Sequence, residues 1–222
     1  MDIEIESVSQ NILELGLGAL AHANRHAAYY DENDKWEELS VLQAAHAAEL
    51  LVKARIAQEH PLLIFVDFPS VSNQETLSLS KLAEDGKTIG WSDLPKVFKP
   101  ITGCDFIQED CFKKFGKLRN SLQHLGVFSK RLTTSPSLET LKFIYSFIDP
   151  FINAHWNLCA IDFDEDMDSY EHLPITLINY EIEFIVSSKA VKYSHLWKEA
   201  LSDCSDQYQH KMEKKIIKAL GD

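Results

Sequence analysis

The sequence predicts an all-α protein, an antiparallel helical bundle, and three long segments support this prediction. The segment 36–59 is rich in Ala, Leu, Glu and Lys and is apolar on nearly every side at its centre, which is typical of the central helix of a bundle. The segment 7–30 repeats apolar residues at helical spacing, and the segment 138–159 is long and apolar. Three such helices can bury their apolar faces against one another.

Breaks in the pattern place the ends of the first two helices. Gly16 and Gly18 lie inside the first helix, where they either weaken it or let another helix approach closely. Pro61 ends the second helix at His60, because a proline disfavours helical geometry in the residue before it. We therefore expect two helices of about equal length, joined by a short polar turn.

The segment 62–105 has no sustained period and contains several prolines. We expect it to be a long irregular insertion, in which 62–68 is a candidate strand and 75–85 a candidate short helix. A helix is predicted over 106–128, and the apolar helix 138–159 that follows is expected to kink at Pro150.

The rest of the chain predicts an appendage packed on the bundle. The acidic segment 162–172 lacks the glycine and glutamate that a calcium loop needs and is interpreted as a linker. Apolar and polar residues alternate over 178–186, which predicts a short strand with 62–68 as its partner. The expected organisation is a bundle over 1–160, with the insertion 62–105, and an appendage over 161–222 that ends in helices.

Composition narrows the function classes. No apolar run approaches the ~20 residues that span a bilayer, and the acidic start lacks the features of a signal peptide, so we expect a cytoplasmic protein with no membrane partner. The four cysteines are scattered, which predicts reduced thiols, no structural zinc and no other metal. We also expect no cofactor.

A basic island interrupts this acidic chain, whose net charge is −12. The stretch 111–131 has no Asp or Glu, and its six basic residues are Lys113, Lys114, Lys117, Arg119, Lys130 and Arg131. Such a patch can hold a few phosphates even when the whole protein repels a long polyanion. A solvated helix face remains the alternative.

Three polar residues on the island's helix form a candidate catalytic motif. At roughly 100° per residue, Arg119, Asn120 and His124 fall within roughly 140° of one another. Gln123 lies between them, and Gly116, one turn earlier, is expected to leave this face shallow enough for a substrate or a second subunit. The predicted apolar arc on the other side consists of Phe115, Leu118, Leu122 and Leu125.

These residue types suit metal-independent cleavage of RNA. A histidine can move the proton of a 2′-hydroxyl near neutral pH, an arginine can bind the phosphate, and an asparagine can orient either group. Attack by the 2′-oxygen would give a 2′,3′-cyclic phosphate. Because one histidine cannot serve as both acid and base, we expect a two-fold dimer that brings two copies of His124 together. By spacing alone, a surface arginine with an unrelated solvated histidine is the favoured interpretation.

The sequence LRNSLQH, which contains Arg119, Asn120 and His124, resembles the motif of the HEPN superfamily. The stretch AAHAAELLVKARIA, with Glu49 and Lys53, is similar to a buried helix of that family, and the long apolar helix after the motif also fits. The resemblance covers about residues 7–160. It implies a helical bundle, a homodimer with a composite active site, and an endoribonuclease in RNA processing, phage defence or a toxin–antitoxin pair with an antitoxin or other inhibitor protein.

Supporting roles are predicted for Glu49, Gln123 and Lys117, and RNA contacts for Lys113, Lys114, Lys130 and Arg131. Glu49 can pair with Lys53 one turn later, and its carboxylate, if buried, needs a cation such as Arg119 or His46.

Two further alternatives stay open at this point. His22 and His26 have the spacing of a metal-chelating pair, but a satisfied or solvated pair is the simpler interpretation. The alternative to an enzyme is a non-catalytic helical module that binds RNA, a nucleotide or a partner protein.

Overall fold

The computed structural model describes residues 5–29, 33, 35–67, 78–126, 134–166 and 169–221. Nearly all of the regular structure in these ranges is helical, which confirms the predicted all-α fold. The helices are α1 (Ile5–Ala28), α2 (Lys35–Glu59), α3 (Leu79–Asp85), α4 (Leu94–Thr102), α5 (Glu109–Leu125), α6 (Pro136–Phe143), α7 (Asp149–Trp156), α8 (Ser169–Asn179), α9 (Lys198–Ser202) and α10 (Asp206–Gly221). Single-turn and longer 3-10 segments occupy Pro61–Ile64, Ala160–Asp162 and Ala190–Trp197.

Helices α1 and α2 form an antiparallel pair at the centre of the fold. Gly16 of α1 packs against Leu51 of α2, where a Cβ atom on the glycine would lie only 3.1 Å from the leucine side chain. Near the other end, the ring of His26 stacks on Trp36. Of the two roles considered for the glycines, Gly16 therefore has that of a close helix approach. Helix α2 is buried along most of its length, as expected for a central helix.

The long helix predicted over 138–159 is present, but it changes geometry before its proline. Helices α6 and α7 are joined by a π-helical turn, Ile144–Ile148. The N–H of Asp149 donates to the carbonyl of Ile144, five residues earlier. Pro150, which has no N–H to donate, follows directly. The wider turn thus accommodates the proline within a continuous helical segment.

The described parts of the insertion, 62–67 and 78–105, contain short regular elements between irregular stretches. Strand β1 (Phe65–Asp67) pairs antiparallel with strand β2 (Lys87–Thr88), and the short helix expected over 75–85 appears as α3. Helix α4 follows and buries Phe98 completely. Period alone missed α4, because it is a short helix with a proline near its start and another near its end.

The prediction of a strand over 178–186 was wrong. Helix α8 continues to Asn179, a turn follows at 180–181, and residues 182–187 belong to no helix or strand of the described structure. Their backbone is bound by side chains instead: the N–H of Ile185 donates to Asp149 and the carbonyl of Ile182 accepts from Tyr208, both at 2.8 Å. The alternation corresponds to the burial of Ile182, Phe184 and Val186, although side chains and not a neighbouring strand bind the backbone here.

One hydrophobic core joins the bundle and the appendage. It extends from Leu13 in α1 to Met212 in α10, and it includes Phe184 and Trp197 of the appendage. Phe184 contacts both Tyr145 and Trp197. The helices of the appendage therefore pack on the bundle. Within the described ranges, no helix is both long and apolar enough to cross a membrane.

Candidate functional site

Helix α5 carries the candidate motif on its last two turns. The helix begins with Glu109 and Asp110, whose negative charges interact favourably with the positive end of the helix dipole. It ends at Leu125, and the capping residue Gly126 has a φ of 60°, a left-handed conformation that costs glycine little. The core anchors one side of the helix through Phe115 and Leu122.

The guanidinium of Arg119 points towards α2. Its Nη2 lies 3.5 Å from Oε2 of Glu49, and its Nη1 donates to Oδ1 of Asn120 at 3.1 Å. Of the two cations considered for Glu49, Arg119 is the one that the structure pairs with it, and His46 is exposed. The arginine side chain is about one quarter exposed, which leaves part of it open to solvent.

Glu49 is itself held by a second cation. Lys53 donates from Nζ to Oε1 of Glu49 at 2.7 Å, as the spacing predicted, and also to Oγ1 of Thr88 at 3.1 Å. A polar chain therefore runs from β2 through α2 to Arg119 and Asn120 on α5. This chain fixes the position of the arginine.

His124 is separate from this chain. It is exposed, and no hydrogen bond or ion pair joins it to another of the residues that the structure describes. Gln123 is exposed beside it. The structure therefore brings Arg119 and Asn120 together and leaves His124 on the surface of the same helix.

The face around Gly116 is occupied by the protein itself, so the prediction of a shallow open surface was wrong. A Cβ atom at Gly116 would overlap the indole of Trp91, which comes from the insertion. The indole stacks on Phe112 with ring centroids 3.8 Å apart, and the guanidinium of Arg119 lies 5.9 Å from its centre. The glycine thus serves a close contact with Trp91. Sequence reasoning missed Trp91, and a glycine inside an otherwise good helix was the only signal for such a partner.

The predicted apolar arc of α5 is also shorter than expected. Leu125, in the last turn, is 73% exposed, whereas Leu118 is partly buried. The arc loses its core contacts at this end because Leu125 is the last residue of the helix.

The basic island is divided among different environments. Lys113 pairs with Glu109 across one turn of α5, with 2.5 Å between Nζ and Oε1. Lys114 and Lys117 are exposed and line a groove beside α5. Lys130 and Arg131 lie outside the described residues, and their contact with RNA stays a prediction.

His22 and His26 form a satisfied pair. Their Nε2 atoms lie 3.0 Å apart, and Nδ1 of His22 lies 3.0 Å from Oε1 of Glu165. Because both ring nitrogens of His22 have partners, this arrangement differs from a chelating pair, in which each ring directs a nitrogen at the ion. Among the residues with described positions, no group of three His, Cys, Asp or Glu side chains is arranged to hold a metal.

Comparison of the chain with models of protein families, with curated proteins and with solved structures found no match.

Proposed function

We propose that this protein is a HEPN-like, metal-independent endoribonuclease in which Arg119, Asn120 and His124 cleave RNA. The observation that carries the proposal is the polar chain that holds Arg119 on the same helix as an exposed histidine. Glu49 acts here as a positioning residue, because it contacts the arginine rather than the substrate.

The arginine keeps donors for a phosphate. Its guanidinium has five N–H groups, and its contacts with Glu49 and Asn120 engage one nitrogen each. A partly exposed guanidinium with a fixed orientation binds a phosphate with little loss of side-chain entropy. Lys114 and Lys117 add positive charge on the same helix.

The reaction requires two proton transfers. His124 removes the proton from a 2′-hydroxyl, and the 2′-oxygen then attacks the adjacent phosphorus while the bond to the 5′-oxygen breaks. The leaving 5′-oxygen must receive a proton, so the products are a 2′,3′-cyclic phosphate and a 5′-hydroxyl. In the proposal, His124 of a second copy donates that proton, and the active site lies between the two subunits of a homodimer.

The test is cleavage of single-stranded RNA in the presence of EDTA. We expect His124→Ala to reduce the rate at least about 100-fold, the usual contribution of a general acid or base. His210→Ala is the matched control, because His210 is another exposed histidine, on α10. Equal cleavage by wild type and His124→Ala would refute the proposed site. Full activity of a strict monomer in sedimentation would refute the shared site.

The proposal also includes a setting in defence or in a toxin–antitoxin pair. Expression of the wild type should then slow the growth of a bacterial host, and His124→Ala should relieve this effect. Growth inhibition that persists in the variant would separate toxicity from the proposed chemistry. An antitoxin or inhibitor protein is the partner expected in this setting.

A non-catalytic helical module is the second candidate, and one observation favours it. Glu49 and Trp91 give Arg119 partners inside the protein, which is the arrangement expected of a structural arginine. RNA binding without cleavage, in both the wild type and His124→Ala, would support this candidate.

A further inference from the structure

A surface groove runs along the side of α5 that faces α6. Its volume is about 420 Å³, within the usual range for small-ligand sites. Phe115, Leu118 and Phe143 form its apolar floor. The rings of Phe115 and Phe143 stack there, with their centroids 3.8 Å apart. The groove can therefore shelter an apolar or aromatic group from water.

Among the described residues that line this groove, three are lysines and one is an acid. Lys114, Lys117 and Lys142 form no ion pair with any residue in the described part of the chain. The acid, Glu139, accepts a hydrogen bond from Thr134. In a protein of net charge −12 this local excess of positive charge is unusual, and it complements an anionic occupant.

The π-helical turn Ile144–Ile148 contributes to the groove wall through Ser146. Such turns occur frequently at functional sites. The wall thus has a backbone feature that an ordinary packed helix lacks.

Arg119, Asn120 and His124 do not line the groove, but His124 projects from a neighbouring side of α5. Lys117 lines the groove, and His124 lies seven residues later on α5. At 3.6 residues per turn these two side chains lie within about 20° of each other around the helix and ~10 Å apart along its axis. A chain of phosphates bound at the lysines can therefore pass over His124.

We propose that this groove binds an unpaired nucleotide of single-stranded RNA, with its base on the apolar floor and the flanking phosphates on Lys114, Lys117 and Lys142. The inference rests on the proposed function, since it names the form of RNA that reaches His124. Binding of a base in the groove makes the enzyme selective for unpaired RNA, because a base held in a duplex cannot enter a groove of this kind.

Cys111 lines the groove and supplies a direct probe. Burial raises the pKa of its thiol, so alkylation is best followed at mildly alkaline pH. In the His124→Ala chain, which should not cleave, we expect a single-stranded oligouridylate to slow the alkylation of Cys111. Cys104 and Cys204 are partly exposed elsewhere and serve as internal controls when each site is quantified by mass spectrometry.

Four results would overturn the proposal. Equal protection by inorganic polyphosphate would show that no base enters the groove. Equal protection by duplex RNA would remove the selectivity, and equal protection of Cys104 and Cys204 would show a general effect. Protection by an acidic peptide but not by RNA would assign the groove to a protein partner.

The salt dependence of binding tests the lysines separately. Each phosphate contact on a single strand contributes about −0.7 to the slope of log K against log salt, so Lys117→Gln and Lys142→Gln should each reduce the slope by about 0.7. Lys192→Gln, which removes an exposed lysine away from the groove, should leave the slope unchanged. Unchanged slopes for both groove variants would contradict the assignment of the phosphates.

A substitution that fills the groove tests the base. Ser146 is exposed, so Ser146→Trp adds bulk at the groove wall without replacing a core residue. We expect it to weaken the binding of single-stranded RNA about fivefold or more, the low end of the loss when one bound base loses its aromatic contact. Undiminished binding would contradict the proposal.

The two proposals fail in different ways. Cleavage that depends on His124 without protection of Cys111 would support the proposed ribonuclease activity and contradict the proposed RNA site in the groove. Protection of Cys111 without any cleavage would support the groove as an RNA-binding site and contradict the proposed ribonuclease activity.

Discussion

Lys53 lies almost fully buried on α2, where its ammonium group would be costly without a partner. Glu49 provides that partner at 2.7 Å and holds Arg119 with its other oxygen. One carboxylate therefore neutralises two cations from different helices. The stability of this region and the orientation of the motif depend on the same side chain.

Removal of Glu49 should cost more than removal of Lys53. Glu49→Ala leaves a buried ammonium group without an acid, and we expect the free energy of unfolding to fall by about 3 kcal/mol. Lys53→Met keeps most of the volume, and Glu49 retains Arg119, so the loss should be less than half as large. Urea denaturation of both variants measures the difference. Equal losses would contradict the shared role of the carboxylate.

Asp149 is a second buried acid, and it links two distant segments. Its carboxylate is 1% exposed and accepts from the backbone N–H groups of Ala160 and Ile185 at 2.8 Å. Burial raises its pKa from 3.8 to about 6, although both hydrogen bonds act in the opposite direction.

This pKa predicts how stability varies with pH. The folded protein keeps the proton of Asp149 up to about pH 6, whereas the unfolded chain releases it near 3.8, so the folded state binds more protons in between. The stabilisation from this group is complete below the lower value and is lost as the pH rises through the upper one. Relative to Asp149→Asn, the free energy of unfolding of the wild type should fall by about 2 kcal/mol from about pH 4 to about pH 7. A constant difference between the two proteins would contradict the raised pKa.

At the scale of elements, the position of α5 depends on a close contact with the insertion. The indole of Trp91 fills the space that a side chain at position 116 would need, and it is fixed in turn by stacking on Phe112. The insertion thus supports the helix that carries the motif.

Two glycine substitutions should have opposite effects. Gly116→Ala forces a Cβ atom into the indole of Trp91 and should destabilise the fold by about 2 kcal/mol. Gly18→Ala meets no atom within 4 Å in α1 and should stabilise the fold by about 1 kcal/mol, the difference in helix propensity. Thermal unfolding compares the two. Combination of Gly116→Ala with Trp91→Leu should recover part of the loss, and no recovery would assign the cost to another contact.

The accuracy of the sequence predictions differed among elements for physical reasons. Helix α2 was predictable because its composition and its burial on many sides are local properties of the sequence. The segment 182–187 was mistaken for a strand because alternation indicates which side chains are buried and not which groups bind the backbone. The contact of Gly116 with Trp91 joins residues 25 positions apart, and no pattern within one helix contains it.

The same distinction holds for the candidate site. The spacing of Arg119, Asn120 and His124 placed them on one helix, and the acid–cation argument for Glu49 led to its contact with Arg119. The direction of each side chain followed from tertiary packing instead. Arg119 faces α2 and His124 faces solvent. The angular positions of the residues around the helix did not predict this difference in environment.

At the scale of the whole molecule, the continuous core predicts cooperative unfolding. Trp91 in the insertion and Trp197 in the appendage both contact this core. In each of two variants that retain one of these tryptophans, with the others changed to Phe, the urea midpoint measured by fluorescence should therefore equal that measured by circular dichroism. In the variant that retains only Trp197, a fluorescence midpoint below the circular-dichroism midpoint would show that the appendage unfolds separately.

The π-helical turn Ile144–Ile148 also sets the rotation of α7 relative to α6 about their common helix axis. Before it, Phe143 stacks on Phe115 of α5, and after it, Phe151 contacts Phe98 of α4. Loss of a single codon within the turn would restore ordinary helical winding and rotate everything beyond it by about 100°. Phe151 and Asp149 would then both face away from their partners. The length of this turn is therefore constrained more tightly than the identity of its exposed residue, Ser146.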